Sequence, residues 1–335
     1  MIDKKKILFV VHRYYPYPGG SEYYTQNMAE ECVARGYEAT VLTAQHKISH
    51  GKHNGVFVAT DPANTLNLKW DLIVVHGDAS MQNVVHVNSN NIRSPILYLI
   101  IKPGENDFIA SGLKHSEYLG YSTSMDIQFI KDKGYSYKAR RVRHGVKHED
   151  CYSLIDFMKH EKPYFVSAGG FYPNKMMKEL ATAWEESKID AELYIFGYGM
   201  LENAPSDTSK VKVIKEASKD NLMNTLRGAE GYIMNSSEEG FGLVLIEAML
   251  NGIPWFAKNI AGARDMKEYG YIYNQETDLI SFLEKAFCDD DRDWWNSIEM
   301  EFDEQVPFQF AMQNHLIQHT VDDIEDVIME ATKSK

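Results

Sequence analysis

The sequence predicts an α/β protein built from two Rossmann-like, doubly wound domains. Three observations carry that prediction. Short apolar runs alternate with helical patterns in one series before residue 147 and in a second after residue 162, as strands and their covering helices do in doubly wound sheets. At 335 residues the chain is long for one domain and comfortable for two. Charge is unevenly divided: residues 1–150 carry 18 Lys/Arg against 15 Asp/Glu, whereas residues 151–335 carry 17 against 33, as separate domains with different partners would.

The first series opens with "KILFVV" (6–11), a buried strand. In "SEYYTQNMAEECVARG" (21–36), Tyr24, Met28 and Cys32 with Ala29 and Val33 make one apolar helix face, with Ser21 as the expected N-cap and Gly36 as the stop. "YEATVLTA" (37–44), "GVFVA" (55–59), "DLIVVH" (71–76) and "ILYLII" (96–101) are β-rich with little polar alternation, as expected of strands covered on both faces. "SMDIQFIKDKG" (124–134) is a helix closing on Gly134.

The second series reads "YFVSAGG" (164–170) as strand, "MMKELATAWEES" (176–187) as helix and "AELYIFGYG" (191–199) as a strand running into a glycine turn. "VKVI" (211–214) is a strand, "KDNLMNTLRGAE" (219–230) a helix, "GYIMNS" (231–236) and "PWFAKN" (254–259) strands. An acidic, aromatic helix pair from about 277 to 332 ends the chain.

Composition narrows the class. With 44% hydrophobic and 25% charged residues the chain is globular rather than disordered. No run of eighteen apolar residues exists to span a membrane. The basic start "MIDKKKILFVV" lacks a small-residue cleavage site, so it reads as a strand and not a signal peptide. Cys32, Cys151 and Cys288 form no CxxC pair. A reducing, cytoplasmic location is expected, free or peripheral at a membrane surface, with neither disulfide nor structural zinc.

Ligands of open α/β sheets bind beyond the carboxyl ends of the strands, where this chain places its glycine turns. "YPGGSE" (17–22) is not GxGxxG, which argues against an NAD dehydrogenase; it is either a close-approach turn or a structural one. "GGFYPNK" (169–175) puts Lys175 before a helix, and "FGYG" (196–199) is a second strand-end turn. "SSEEGFGLVLIEAM" (236–249) combines a preceding strand, glycines, an apolar helix and two carboxylates. Gly240, Phe241, Gly242 and Leu243 offer N–H groups to a diphosphate at a helix start. On a continuous helix, Glu239 and Glu247 would be separated by about 80° and about 12 Å, placing them at two ends of one extended ligand. The structural alternative makes Glu247 a satisfied buried acid and Glu239 a first-turn acid complementing the dipole.

These motifs together resemble the retaining glycosyltransferases of the GT-B fold, glycosyltransferase family 4 in particular. Glu239 and Glu247 fit the E-x7-E signature. "PGGSE" is similar to the N-terminal glycine loop, "RHGVKH" (143–148) to the N/H-G-V-D segment and "GGFYPNK" to the G-R-L-x-x-x-K turn. "FGYG" matches the G-x-G turn, and "AGARD" (261–265) stands where the family has a G-G-x-x-E-like turn.

The resemblance implies two Rossmann-like domains facing across a cleft. Residues 1–155, with a C-terminal helix of about 310–335 packing back on them, would take the acceptor, and 156–309 would bind the donor. It implies transfer of a hexosyl or pentosyl group from a UDP- or GDP-sugar to a glycan, a lipid-linked glycan or another acceptor. Glu239, Lys175 and Lys102 would be catalytic. Gly19, Gly20, Gly170, Gly197, Gly240, Phe241, Gly242, Leu243 and Glu247 would bind the donor, Glu247 through ribose hydroxyls and Glu239 through the sugar. Arg143 and His144 would lie on the acceptor side. No cofactor or metal is expected, because a helix start and a lysine stabilise the leaving diphosphate; "CDDDRD" (288–293) reads as a solvated acidic turn.

Three positions depart from the family pattern. Gly170 stands where a phosphate-binding Arg is expected, Lys102 where a His near the donor sugar is common, and Lys147 in place of the Asp of "GVD". These departures keep other readings open: a catalytically weak GT-B-like partner subunit, a transferase acting on modified DNA bases, or a sugar-nucleotide epimerase. The basic stretch "KARRVRHGVKH" (138–148) is either a solvated loop or a face for an anionic acceptor.

Overall fold

Runs of Val, Ile, Leu and Phe become strands here because both faces of each sheet are covered, so no polar alternation is needed. The computed structural model describes residues 4–47, 51–76, 94–151, 160, 162–288 and 305–333. The chain divides into two compact units, Met1–Gly145 with His315–Lys335, and Val146–Asn314.

Unit 1 contains β1 (Lys6–Arg13), β2 (Glu38–Gln45), β3 (Lys52–His53), β4 (Val56–Ala59), β5 (Leu72–His76), β6 (Ile96–Leu99), β7 (Tyr118–Tyr121) and β8 (Ala139–Arg141). Their order is β3-β4-β2-β1-β5-β6-β7-β8, with every pairing parallel except β3 with β4. The helices α1 (Gly20–Ala34), α2 (Pro62–Leu66), α3 (Asp107–His115) and α4 (Ser124–Asp132) connect them. In α1, Tyr24, Met28, Ala29 and Cys32 are buried and Val33 is half-buried. Ser21 is not its cap: the helix starts at Gly19 without a side-chain cap, and the Ser21 hydroxyl donates to Glu22 at 2.7 Å. The expected stops hold, with Gly36 at φ 94° and Gly134 at φ 80°.

The last element of unit 1 is the C-terminal helix, Ile317–Lys333. Its apolar stripe of Ile317, Val321, Ile324, Val327 and Ile328 is buried, and its acids meet the basic stretch. Arg143 forks onto Asp323, with Nη2 to Oδ1 at 2.6 Å and Nε to Oδ2 at 2.9 Å. Arg140 Nε donates to Glu330 at 2.8 Å, and Arg35 reaches Asp322 at 2.7 Å and Glu325 at 2.8 Å. With this helix included, unit 1 carries 19 Lys/Arg against 18 Asp/Glu and unit 2 carries 16 against 30. The basic half of the sequence is thus close to neutral as a folded unit.

The unit boundary falls at Gly145, ten residues before the position suggested by the sequence, and at Asn314. Gly145 lies against the chain at its return into unit 1: a Cβ there would sit 2.4 Å from the Leu316 carbonyl oxygen. Beside it, His144 is buried with its ring 4.5 Å from Tyr24, whose ring is 5.5 Å from His76, and His315 Nδ1 is 2.8 Å from the His144 carbonyl oxygen. Burial pushes His76 and His315 down to about 4, and His144, next to both, down to about 3.

Unit 2 contains β9 (Tyr164–Gly170), β10 (Glu192–Tyr198), β11 (Val211–Lys215), β12 (Gly231–Met234), β13 (Trp255–Lys258) and β14 (Tyr271–Tyr273). All pairings are parallel, in the order β11-β10-β9-β12-β13-β14. Its helices are α5 (Met177–Glu186), α6 (Lys219–Leu226), α7 (Leu243–Leu250), α8 (Ala261–Asp265), α9 (Glu276–Cys288) and α10 (Gln305–Asn314). Phe165, Trp184, Leu193, Ile195 and Phe256 form part of one buried core, and the Trp184 indole donates to the Ala191 carbonyl at 3.1 Å. Where the sequence suggested a terminal helix pair, the described residues form α9, α10 and the C-terminal helix. The acidic run from Asp289 lies outside the described residues. Among the described residues no helix is long and apolar enough to cross a membrane, and Cys32 and Cys151 are free thiols.

Two outcomes follow from this packing. Asp323→Ala should remove about 1–2 kcal/mol of stability, since it strips a charged, only partly exposed partner from Arg143; urea denaturation of the full chain measures it. Histidines whose pKa is lowered by folding stabilise the fold above their unfolded value of about 6.5, and that stability drains as pH falls toward about 4. Melting temperature should therefore drop between pH 6.5 and pH 4, and less in His76→Phe; an unchanged slope in that variant contradicts the assignment.

Candidate active site

The strand order of unit 2 reverses between β9 and β12, the switch point at which connections leave for opposite faces and a crevice opens beyond the carboxyl ends. The loop after β9 carries Gly169–Lys175, and the loop after β12 carries Asn235–Gly242, so the two glycine-rich segments are neighbours by topology. They are also tied directly. Ser237 N–H donates to the Asn174 carbonyl at 2.9 Å, and Asn174 Nδ2 donates to the Glu238 carbonyl at 3.2 Å.

Lys175 and Glu239, 64 residues apart in sequence, form an ion pair with side chains 18% and 21% exposed. Glu239 lies in the turn before α7, whose N-cap is Gly242 at φ 91° and whose first turn carries no acid. The alternative of a dipole-complementing first-turn acid therefore falls, and so does the continuous-helix spacing to Glu247, because only Glu247 is helical. At the start of α7 the Leu245 N–H bonds back to the Gly242 carbonyl at 2.9 Å, and the N–H groups before it have no intrahelical carbonyl to bond. Behind them, α8 packs so closely that a Cβ on Gly262 would sit 1.9 Å from the Phe241 carbonyl oxygen. "AGARD" is thus the support that fixes the Phe241–Leu243 backbone.

Glu247 is 6% exposed in the second turn of α7. Its Oε1 pairs with Lys219 at the first turn of α6, while Oε2 is buried with no hydrogen-bond partner among the described residues. Both glutamates lie close to Tyr232: burial first, then Glu239 and Glu247, drive its phenol far above the ordinary range. Lys219 was invisible to the sequence reading, since it lies 28 residues from Glu247 and reaches it through the fold.

A second polar set underpins Lys175. Met176 holds a left-handed backbone at φ 50°, closing the turn that projects Lys175. Asn235, buried at the end of β12, donates from Nδ2 to the Met176 carbonyl at 2.8 Å and to Glu276 at 2.8 Å, while Tyr273 donates to Asn235 Oδ1 at 2.8 Å. Lys258 pairs with Glu276 at 2.7 Å. Burial raises the Glu276 carboxyl, but hydrogen bonds from Lys258 and Asn235 outweigh it and hold the group below the usual range.

Gly170 and Gly197 line the same strand ends. Where the family pattern has Arg, the Tyr172 ring covers Gly170, and a Cβ there would meet it at 2.4 Å; at Gly197 a Cβ would meet the Phe171 ring at 2.2 Å. In unit 1, Gly19 and Gly20 stand at the start of α1, on the connection that leaves β1 at the β1–β5 reversal, with open space at the α-carbon of Gly20. Lys102 is exposed after β6. Arg143 is committed to Asp323, and His144 is buried, so neither presents its side chain to an acceptor as the sequence reading expected. Among the described residues no group of three His, Cys, Asp or Glu is arranged to hold a metal ion.

Residues 156–276 match the family model "Glycosyl transferases group 1", a span containing Lys175, Lys219, Glu239 and Glu247. No curated protein sequence matches the chain. Its fold is similar to that of Anabaena HepE in complex with UDP-glucose, at TM-score 0.80 and 15% identity over 97% of this chain and 99% of that one. It is also similar to sucrose-phosphate synthase of Thermosynechococcus elongatus, at 0.78 and 13% over 99% and 100%. WaaG, a glycosyltransferase involved in lipopolysaccharide biosynthesis, aligns at 0.65 and 14% over 96% and 99%.

Asn235→Ala should cost about 1–3 kcal/mol, because it removes one hydrogen bond each from the Met176 carbonyl, Glu276 and the buried Tyr273 hydroxyl; a shift in the urea midpoint of the full chain reads it, and an unshifted midpoint contradicts the support role. The two parallel-sheet units give the chain a GT-B fold, and residues 156–276 of it are similar to the glycosyl transferases group 1 model.

Proposed function

We propose that the protein is a retaining glycosyltransferase that moves a sugar from a nucleotide-diphosphate sugar, of UDP or GDP type, to a glycan, lipid-linked or other acceptor. The observation that carries this reading is the start of α7: two carboxylates, each with its own lysine, flank a glycine-opened helix end within the group 1 domain. Amides and an ammonium suit the diphosphate, and carboxylates suit hydroxyls on either side of it. That HepE was crystallised with UDP-glucose, and also with UDP, agrees with such a donor.

In this mechanism the N–H groups of Phe241, Gly242 and Leu243, with Lys175, stabilise the negative charge that grows on the leaving diphosphate. Gly240 allows close backbone approach to the donor, whereas Gly170 and Gly197 make room for the Tyr172 and Phe171 rings that border the site. Glu239 accepts hydrogen bonds from the donor sugar and Glu247 from the ribose. When the donor draws Lys175 toward phosphate, Glu239 exchanges its ammonium partner for sugar hydroxyls, so both charges stay compensated. No metal is assigned a role. The acceptor is assigned to unit 1, and the location to the cytoplasm, free or at a membrane surface.

Tyr172 over Gly170 favours one second reading, a binding or partner subunit of low turnover, since the ring stands where an Arg would add a cation. Turnover separates the two. Wild-type protein should convert UDP-glucose or a GDP-sugar to product with the anomeric configuration kept, as seen by NMR. Nucleotide binding without turnover on any donor would favour the second reading. Glu239→Gln and Lys175→Ala should each lower kcat about 10²–10³-fold and shift stability by no more than about 1 kcal/mol, both side chains being partly exposed. Wild-type kcat in both variants retires the assignment.

A further inference from the structure

We infer that Lys219 is a specificity-determining residue of the donor site: with Glu247 it forms a two-signed reader of a vicinal diol that selects ribonucleoside over 2′-deoxyribonucleoside diphosphates. The inference rests on the proposed function for the placement of the ribose at Glu247 and extends it to a residue outside the signature motif.

Three observations bear on it. Glu247 is 6% exposed, yet its Oε2 has no hydrogen-bond partner among the described residues. A buried acceptor left unmade costs free energy unless a ligand satisfies it. Its other oxygen, Oε1, is engaged by the Lys219 ammonium. Glu247 can therefore accept from a hydroxyl at Oε2 while keeping Lys219 at Oε1. Thirdly, Lys219 is placed by its own local structure: Ser218 caps α6 by accepting from the Asn221 N–H at 3.1 Å, which sets residue 219 in the first turn.

A diol fits this arrangement and a single hydroxyl does not. One hydroxyl donates to Oε2 and the adjacent hydroxyl oxygen accepts from the ammonium, which carries three N–H donors and no acceptor. A 2′-deoxyribose satisfies only one of the two charged groups and leaves the other desolvated without its ligand partner. Sites built to hydrogen-bond a hydroxyl reject the analogue that lacks it far more strongly than apolar pockets reject a missing methylene. Lys219 also neutralises Glu247 before the donor arrives, so it does not need to leave the site to let the nucleotide in.

Isothermal titration of the full chain with UDP and with 2′-deoxy-UDP tests this with the base held constant. Wild-type protein should prefer UDP by about tenfold or more. In Lys219→Met the preference should fall at least fivefold toward unity, whatever happens to the affinity for UDP itself, and Lys219→Arg should retain it. An unchanged preference in Lys219→Met overturns the inference. If that variant does not fold, Lys219→Leu, which likewise removes every N–H donor, decides in the same way: a lost preference supports and a retained one overturns. Wild type that binds UDP without preference sinks only the inference. Wild type that binds neither UDP nor GDP nor their sugars sinks the proposed function with it.

Discussion

Charge compensation at the start of one helix is the constraint around which unit 2 is arranged. A helix N-terminus opened by Gly240 and Gly242 invites anions, and the chain surrounds it with two of its own, Glu239 and Glu247. Left alone they would repel any anion, and Glu247 would carry an uncompensated charge at 6% exposure. Each is instead given a lysine from a different loop, Lys175 from the turn after β9 and Lys219 from the helix after β11. Each carboxylate is thereby compensated by its own ammonium. This is how a strongly acidic unit, with 30 Asp/Glu against 16 Lys/Arg, keeps a place suited to a polyanionic ligand.

The sheet order makes those lysines available. With β9 and β12 adjacent and their connections departing to opposite faces, the loops that follow both strands meet at one crevice. The rest is reinforcement of that meeting. Asn174 and Ser237 lace the two loops, Asn235 pins the left-handed Met176, and Gly262 lets α8 press on the Phe241 carbonyl. Met176 is informative, because a non-glycine residue at φ 50° persists only where its surroundings over-determine it. The surroundings here are one buried amide, itself held by Tyr273 and Glu276. The lysine turn is therefore tied by hydrogen bonds to the core beneath it.

Much of this was legible in the sequence, for identifiable reasons. Long apolar runs such as those of β1, β5 and β9 announce buried parallel strands, and the glycines at 169–170, 197 and 240–242 mark strand ends. Four short strands escaped. Lys52–His53, Tyr118–Tyr121, Ala139–Arg141 and Tyr271–Tyr273 are two to four residues long and carry little apolar pattern of their own; they are strands because the sheet extends to them. The signature glutamates were legible as a motif, but their lysine partners were not equally so. Lys175 sits in a recognisable turn, while Lys219, Lys258 and Glu276 are ordinary helix-end or strand-end charges until tertiary structure brings them together. Ser21 misled because a serine before an apolar pattern reads as a cap, whereas the tight Gly19–Gly20 start leaves its hydroxyl for Glu22.

The basic stretch at 138–148 shows how charge counted along a chain differs from charge displayed by a fold. Counted by halves, the first 150 residues look basic and suggest an anionic acceptor. Folded, Arg140 and Arg143 point into the acidic C-terminal helix, Arg35 joins them from α1, and Lys138 donates to the carbonyls of Leu113 and Lys114 at 3.0 and 3.1 Å. Arginine suits this work, since its planar fork meets a carboxylate with two hydrogen bonds. The stretch is a docking strip for a helix that comes about 180 residues later, and it closes unit 1 at a net charge of about +1. Net charge counted along the first half is thus largely consumed by pairs within the unit.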